Sequence, residues 1–249
     1  MNQVSGFVQA HNEQYPGTMY ERSVDELVDL FHKGHGVTLV KEGEVAYFGL
    51  TQPKFTETER SLLGGFQVVE MANSIVNPAF RGGGIGRIGN EARLTQIHRK
   101  WGDDSVAYLT TENRVNARVF RGRGEQPTLM DPVDWSDNPY MAGLTCAYSA
   151  TGADTSHACD TKRRPREGSR PHDFDTMYDV AGDKILMSCT LLVSSQEAAD
   201  KFGAAARSLH EELGGEPVYI DDDTTLTTQD VLRVDAFYQS LHQYAQQSL

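Results

Sequence analysis

The chain contains no run of about 18 apolar residues, so nothing in it reads as a membrane-spanning helix. The opening stretch from Met1 to Gln14 is polar and lacks the apolar region a secretory signal uses. Cysteine is scarce, three in 249 residues with no close pairing, which excludes a disulfide framework and suits a reducing cytoplasm. Internal repeats and low-complexity tracts are absent. Basic residues are outnumbered, 23 against 35 acidic, for a formal charge of −12. That balance argues against nucleic acid as a general partner, because phosphate contacts dominate such affinity. What is present is ordinary for a globular protein: 39% hydrophobic, 23% charged, and long enough for one large domain or one with an appendage. A cytosolic protein is expected.

Against that background the stretch Val76-Asn-Pro-Ala-Phe-Arg81-Gly82-Gly83-Gly84-Ile85-Gly86-Arg87 stands out. It joins an apolar run, Phe66 to Val76, to a predicted helix from Ile85 to about Lys100. Glycines leave backbone N–H groups uncovered and permit φ > 0, and a helix start adds partial positive charge. Together these form a site for phosphate or pyrophosphate. Gly84-x-Gly86-x-x-Gly89 also satisfies the dinucleotide fingerprint, with Glu112 as a downstream acid. In a dinucleotide fold, however, the glycines follow the first strand directly. Here Asn77 to Gly82 intervene and about 75 residues precede the motif.

Charge is uneven. Between Arg81 and Gly124 lie nine Arg and Lys (81, 87, 93, 99, 100, 114, 118, 121, 123) and four acids (91, 103, 104, 112), so this stretch carries +5 and the remainder −17. A basic region inside an acidic body suits an anionic cofactor and a cationic second substrate. Surface arginines on a helix would give the same count.

Arg81-x-x-Gly84-x-Gly86, preceded by Val76-x-Pro78, resembles the acyl-CoA pyrophosphate loop of the GCN5-related N-acetyltransferase (GNAT) family. Further on, Asn113, Phe120 and Gly124 have the spacing of that family's second cofactor helix, where the aromatic is usually Tyr. The resemblance covers about residues 23–125 well and 139–195 loosely. It implies an α/β (α+β) fold with a mixed, mostly antiparallel central sheet flanked by helices. It also implies acetyl-CoA or another acyl-CoA as donor and an amine as acceptor. Residues Arg81, Gly82, Gly83, Gly84, Ile85, Gly86 and Arg87 would hold the pyrophosphate. Ile75 and Val76 would bind pantetheine through their backbone, Asn113 would lie near the cofactor arm, and Phe120 would pack beside the thioester. Glu70, a carboxylate inside Val68-Val-Glu-Met-Ala72, lies on the strand where many members carry their catalytic Glu. Burial would raise its pKa toward a useful range; a place on the solvent face of a half-buried strand is the bland alternative. Phe120 has no proton to give the departing thiolate, and Tyr108 and Tyr148 are the substitutes available. The same departure suits a non-catalytic acyl-CoA-binding module. A nucleic-acid-modifying relative would use the Arg163-Arg164-Pro165-Arg166 cluster.

Along the chain, Ser23-Val-Asp-Glu26 reads as a capping box opening a helix to about Lys33. Val37–Lys41 and Glu44–Leu50 read as a hairpin around Glu42-Gly43. A loop Thr51–Gly65, a long strand Phe66–Val76, the glycine loop and the helix to Lys100 come next, then strand Val106–Thr111 and helix Arg114–Arg121. Upstream of Ser23 only Phe7–Ala10 offers a first strand. Pro139–Ser149 and Lys184–Ser195 are β-like, and residues 150–183 between them form an irregular insertion on the acceptor side or a disordered loop. Residues 1–195 thus make the acyltransferase domain. Residues 196–249 add a helical extension, packed on the domain or dimerising it, with amphipathic helices Gln196–Leu213 and Thr228–Gln247 flanking the short run Pro217–Ile220. Cys146, His157, Cys159 and His172 have zinc chemistry without tight pairs, so no metal is expected, and Asp221-Asp222-Asp223 reads as a solvated turn. The acidic body points to a cationic acceptor such as a polyamine, an aminoglycoside-like amine or a lysine side chain.

Overall fold

The computed structural model describes residues 2–14, 23–111, 131–132, 173–180, 183–214 and 225–247. The first departure comes at the N-terminus. Phe7–Ala10 lies inside a helix, α1 (Asn2–Gln14), and not in a strand. Val4, Phe7 and Val8 are spaced for one helical face, and that face packs on Phe48, Leu50, Ala72 and Ile75. Helix α2 (Val24–His32) starts where expected, with the Ser23 hydroxyl accepting the Glu26 N–H at 3.2 Å. Strands β1 (Gly36–Lys41) and β2 (Glu44–Leu50) form the hairpin. Its turn residues Glu42 and Gly43 both take positive φ, 55° and 84°, as a tight two-residue reversal demands.

The expected loop Thr51–Gly65 is partly regular. It holds β3 (Gln52–Pro53) and α3 (Glu57–Leu62), the latter opened by a complete capping box between Thr56 and Glu59. The long strand Phe66–Val76 is also broken, into β4 (Gln67–Glu70) and β5 (Ser74–Val76). Between them Asn73 takes φ 38°, a left-handed conformation that Asn tolerates better than most residues. Leu50 N–H reaches both the Ala72 and the Asn73 carbonyls at 3.1 Å across the break. The two halves then serve different sheets. β5 pairs antiparallel with β2, closing a three-stranded sheet β1-β2-β5. β4 enters a larger mixed sheet.

After a short 3-10 turn (Pro78–Phe80) comes α4 (Ile85–Trp101), then β6 (Ser105–Thr111), parallel to β4 with Val68 opposite Val106 and Glu70 opposite Tyr108. The short β7 (Asp131–Pro132) follows, then β8 (Asp173–Val180) and β9 (Asp183–Val193) as an antiparallel pair. β9 lies antiparallel to β6 on its other side. Residues 173–180, within the expected irregular insertion, are therefore strand, each paired with β9. Helix α5 (Gln196–Glu212), strand β10 (Thr225–Thr227) and helix α6 (Thr228–Gln247) complete the chain. β10 runs parallel to β8, so the C-terminal segment supplies a strand to the sheet as well as helices. The order of the larger sheet is β10-β8-β9-β6-β4-β3, with β7 against β9. The architecture is mixed α+β, its sheets dominated by antiparallel pairs and flanked by helices.

Helix α4 covers the larger sheet with Leu94, Ile97 and Trp101 against Val69, Met71 and Ala107. α5 docks through Phe202, edge-on to Phe66 at 5.6 Å, and α6 reaches α3 through His242 Nδ1 and Glu59 Oε1 at 3.0 Å. The expected helix Arg114–Arg121, strand Pro139–Ser149 and run Pro217–Ile220 lie outside the described residues.

Candidate functional site

Asn77 starts the glycine loop. Its Oδ1 accepts the Ala79 N–H at 3.0 Å and its Nδ2 donates to the Val45 carbonyl at 3.0 Å, which pins the turn to the hairpin. Arg81 follows in extended conformation, then Gly82 (φ 84°), Gly83 and Gly84 (φ 75°). A Cβ on Gly82 or Gly84 would meet nothing within 4 Å, so glycine is required there for its left-handed backbone and not for clearance. Gly84 is the N-cap of α4 and offers no side-chain cap. The N–H groups of Ile85, Gly86 and Arg87 therefore lack an intrahelical acceptor and sit at the positive end of a 17-residue helix. Arg81 and Arg87 are exposed beside them. Lys41, from the hairpin tip, lies over the Phe80 ring at 5.4 Å and adds a third cation to the surroundings. This is anion-binding geometry.

The break in Phe66–Val76 creates the second part. β6 runs on past Tyr108 to Thr111, but β4 ends at Glu70 and the chain turns away into the other sheet. Among the described residues, Leu109, Thr110 and Thr111 thus have no strand on the β4 side, while keeping β9 on the other, and β5 is the last strand of its own sheet. The two sheets part after Glu70, and the divergence of these described edges forms a wedge. Backbone alternation settles which groups face it. Asn77 N–H donates to the Ala46 carbonyl (2.9 Å) and Leu50 N–H to the Asn73 carbonyl (3.1 Å), so residues 73, 75 and 77 bond to β2. Ile75 accordingly turns its polar groups into the sheet and its side chain, 1% exposed, into the core. Val76 and Ser74 turn theirs to the open edge. Of the two residues expected to offer backbone to a ligand, Val76 is the one whose polar groups face away from β2.

Glu70 stands at the end of β4, where the wedge begins. It is neither alone in the core nor a free surface acid. Its side chain is 27% exposed and its carboxylate pairs with Lys54 Nζ at 2.5 Å; that lysine is 10% exposed. Lys54 follows β3, whose Gln52 is registered with Glu70.

Sequence reasoning missed the polar network between the loop helix and the strand break. Arg93 of α4, counted above among cations facing an anionic ligand, is 0% exposed. Its Nη1 donates to the Tyr47 hydroxyl (3.2 Å) and to Asn90 Oδ1 (3.1 Å), its Nη2 to the carbonyls of Leu50 (2.5 Å) and Ala72 (2.9 Å). Tyr47 donates to Asn90 Oδ1 at 2.9 Å and accepts from the Ser74 hydroxyl at 3.2 Å. Arg99 and Lys100 do not serve the loop either. They lie at the far end of α4, about 20 Å away at 1.5 Å per residue. The basic character near the loop reduces, among the described residues, to Lys41, Arg81 and Arg87. The spacing Asn90-x-x-Arg93 on one face of a helix, facing a tyrosine strand, was the available signal; a charged residue in a surface-like pattern concealed it.

Asn113, Phe120, Tyr148, Glu112, the Arg163–Arg166 cluster, the candidate zinc residues Cys146, His157, Cys159 and His172, and Asp221–Asp223 lie outside the described residues. Tyr108 is on β6 opposite Glu70. Among the described residues no group of His, Cys, Asp and Glu could hold a metal ion, and no helix is long and apolar enough to cross a membrane.

No protein-family model matches the chain, and no curated protein matches it by sequence. Among solved structures it is similar to the polyamine N-acetyltransferase of Drosophila melanogaster, at 14% identity over 77% of this chain and 94% of that one, with a TM-score of 0.41. It is similar to the ribosomal-protein-S18-alanine N-acetyltransferase of Escherichia coli, at 10% identity over 71% and 79%, with a TM-score of 0.36. A Trypanosoma brucei acetyltransferase is a further likeness, at 19% identity over 51% of this chain and 87% of that one, TM-score 0.34.

Proposed function

We propose that this chain is an N-acyltransferase that takes its acyl group from acetyl-CoA and gives it to a cationic amine, acting in the cytosol. The observation that carries the reading is the adjacency of two features. An uncapped helix N-terminus behind Gly82 and Gly84 lies next to the wedge edged by Val76. The first suits a pyrophosphate, the second an extended amide-bearing arm that pairs like a strand. Backbone N–H groups of Ile85, Gly86 and Arg87 would take phosphate oxygens, with Arg81 and Arg87 screening the charge. Val76 N–H would hold the arm or polarise the thioester carbonyl as negative charge develops on its oxygen.

Glu70, at the mouth of the wedge, is the base in this reading. It takes a proton from the ammonium so that the free amine can attack the carbonyl carbon; the thiolate leaves as the carbonyl re-forms and takes up the second proton, which the new amide nitrogen sheds. Lys54 holds the carboxylate in place. Glu70→Gln should keep CoA affinity within about twofold and lower kcat by about 10²-fold, read by thiol release against a panel of amines. Turnover equal to wild type would remove Glu70 from the chemistry.

The site itself is tested by thermal melting with acetyl-CoA, CoA and NADH, on wild type and Gly84→Glu. Ligand at about 100 times its dissociation constant stabilises by about 2.7 kcal/mol, a shift on the order of 5–10 °C for a chain of this size. The expected result is a shift with CoA that Gly84→Glu abolishes. A shift with NADH alone, or none, rejects the reading.

A further inference from the structure

We propose that Arg93 is a positioning residue, a clamp that holds the glycine loop and the open edge of β5 in one fixed register. The inference rests on the acyl-CoA reading for its purpose, not for its geometry. Arg93 is the bulkiest fully buried side chain among the described residues, and none of them supplies a carboxylate to pair with it. A guanidinium stays charged at every ordinary pH and loses much of its hydration when buried. An aliphatic residue would fill the same space, so filling the core does not explain it. Its bonds do. Two go to the carbonyls of Leu50 and Ala72, the point where β2 ends and the Phe66–Val76 run breaks. Two go to Tyr47 and Asn90, and Tyr47 in turn receives Ser74, the first residue of β5.

The surroundings are cut to admit this cluster. A Cβ on Gly49 would lie 2.5 Å from the Tyr47 hydroxyl and 2.8 Å from Arg93 Cδ, and one on Gly89 would lie 2.5 Å from the Tyr47 ring. Close to the loop, Gly86 lets α4 come within reach of Val76, whose Cγ2 would be 3.2 Å from a Cβ there. α4 carries the phosphate-binding end at Gly84, and β5 carries the open edge at Val76. Arg93 and Tyr47 tie the helix to the strand break between them. Without the clamp each half persists, but the distance from loop to edge is no longer fixed, and only a ligand spanning both halves feels the loss.

Tyr47→Phe, which keeps the ring and removes the hub hydroxyl, and Arg93→Lys, which keeps charge but not the fork, test this. Hydrogen exchange on the ligand-free proteins is the first readout. Amides of Leu50, Ile75 and Asn77, which bond across the β2–β5 pair and the strand break, should exchange at least tenfold faster, while those of β6 and β9 stay within twofold of wild type. Unchanged exchange at these three amides, or an equal rise throughout, overturns the clamp. Titration calorimetry with CoA and with adenosine 3′,5′-bisphosphate, which lacks the pantetheine arm, is the second. CoA affinity should fall at least tenfold and affinity for the bisphosphate less than threefold; equal losses overturn the proposal. Wild type binding neither ligand rejects the acyl-CoA reading alone, because the exchange pattern still decides the clamp. If Arg93→Lys does not fold, Tyr47→Phe decides.

Discussion

At the scale of single residues, glycines of one sequence type do opposite work at different places. Gly89 sits mid-helix, where alanine would ordinarily gain about 1 kcal/mol of helix propensity. Its Cβ would meet three ring atoms of Tyr47 at 2.5 Å, and Tyr47 is wholly buried, its hydroxyl held by Arg93, Asn90 and Ser74. Gly89→Ala should therefore destabilise the protein by about 1–3 kcal/mol through overpacking. Gly6, mid-helix in α1 with nothing within 4 Å of a Cβ, should behave the other way, and Gly6→Ala should stabilise by about 0.4–1 kcal/mol. Urea denaturation of the two variants checks both signs at once. None of this contrast was legible in the sequence. The glycine loop was, because left-handed backbone and exposed N–H groups are local properties. The role of Arg93 was not, since three of its four acceptors, the Tyr47 hydroxyl and the carbonyls of Leu50 and Ala72, lie 46, 43 and 21 residues away.

Elements were legible in proportion to how local their causes are. α2, the β1–β2 hairpin, α4, β6, α5 and α6 follow from caps, turn residues and periodicity within each segment. Helix α3 carries the same kind of signal, Thr56-x-x-Glu59, but within a polar stretch whose composition reads as loop. β5 was concealed for another reason. An apolar run through Asn73 reads as one strand, and only pairing with β2 on one side and β6 on the other divides it. Helix α5 also brings a pH dependence. His210 is 1% exposed and stacked on Phe237 at 4.4 Å, and burial lowers its pKa from 6.5. His35, between α2 and β1, is lowered by burial first and then by Lys100 and Lys33. Both folded-state values lie below the unfolded ones, so the unfolded chain binds more protons as pH falls past about 6.5. Their contribution is complete above that pH and is lost as pH falls toward the folded values. Each can add a slope of up to about 1.4 kcal/mol per pH unit. Urea midpoints between pH 7.5 and 5.5 should decline on acidification, less steeply in His210→Leu; an identical slope in that variant contradicts the account.

At the scale of the whole molecule, the C-terminal segment is bound into the fold. β10 pairs with β8, and Phe202 of α5 is fully buried on Phe66. Phe202→Ala should cost about 3–5 kcal/mol. A chain ending at Ser195 exposes Phe66 and loses an edge strand, so it should not unfold cooperatively. Calorimetry and sedimentation check this, and a truncated chain that melts sharply as a monomer would mean that residues 196–249 are an independent appendage.

The sequence by itself determined the glycine loop, the helix it opens, the hairpin and the amphipathic C-terminal helices, because caps, turns and periodicity act within a few residues. Tertiary structure decided where the long apolar run divides, that Val76 and not Ile75 faces the open edge, that Glu70 is paired with Lys54, and that Arg93 is a buried tie and not a surface cation. Each depends on which partner arrives from a distant segment. Backbone hydrogen bonds must be satisfied once buried, and the partner that satisfies them is chosen by the fold.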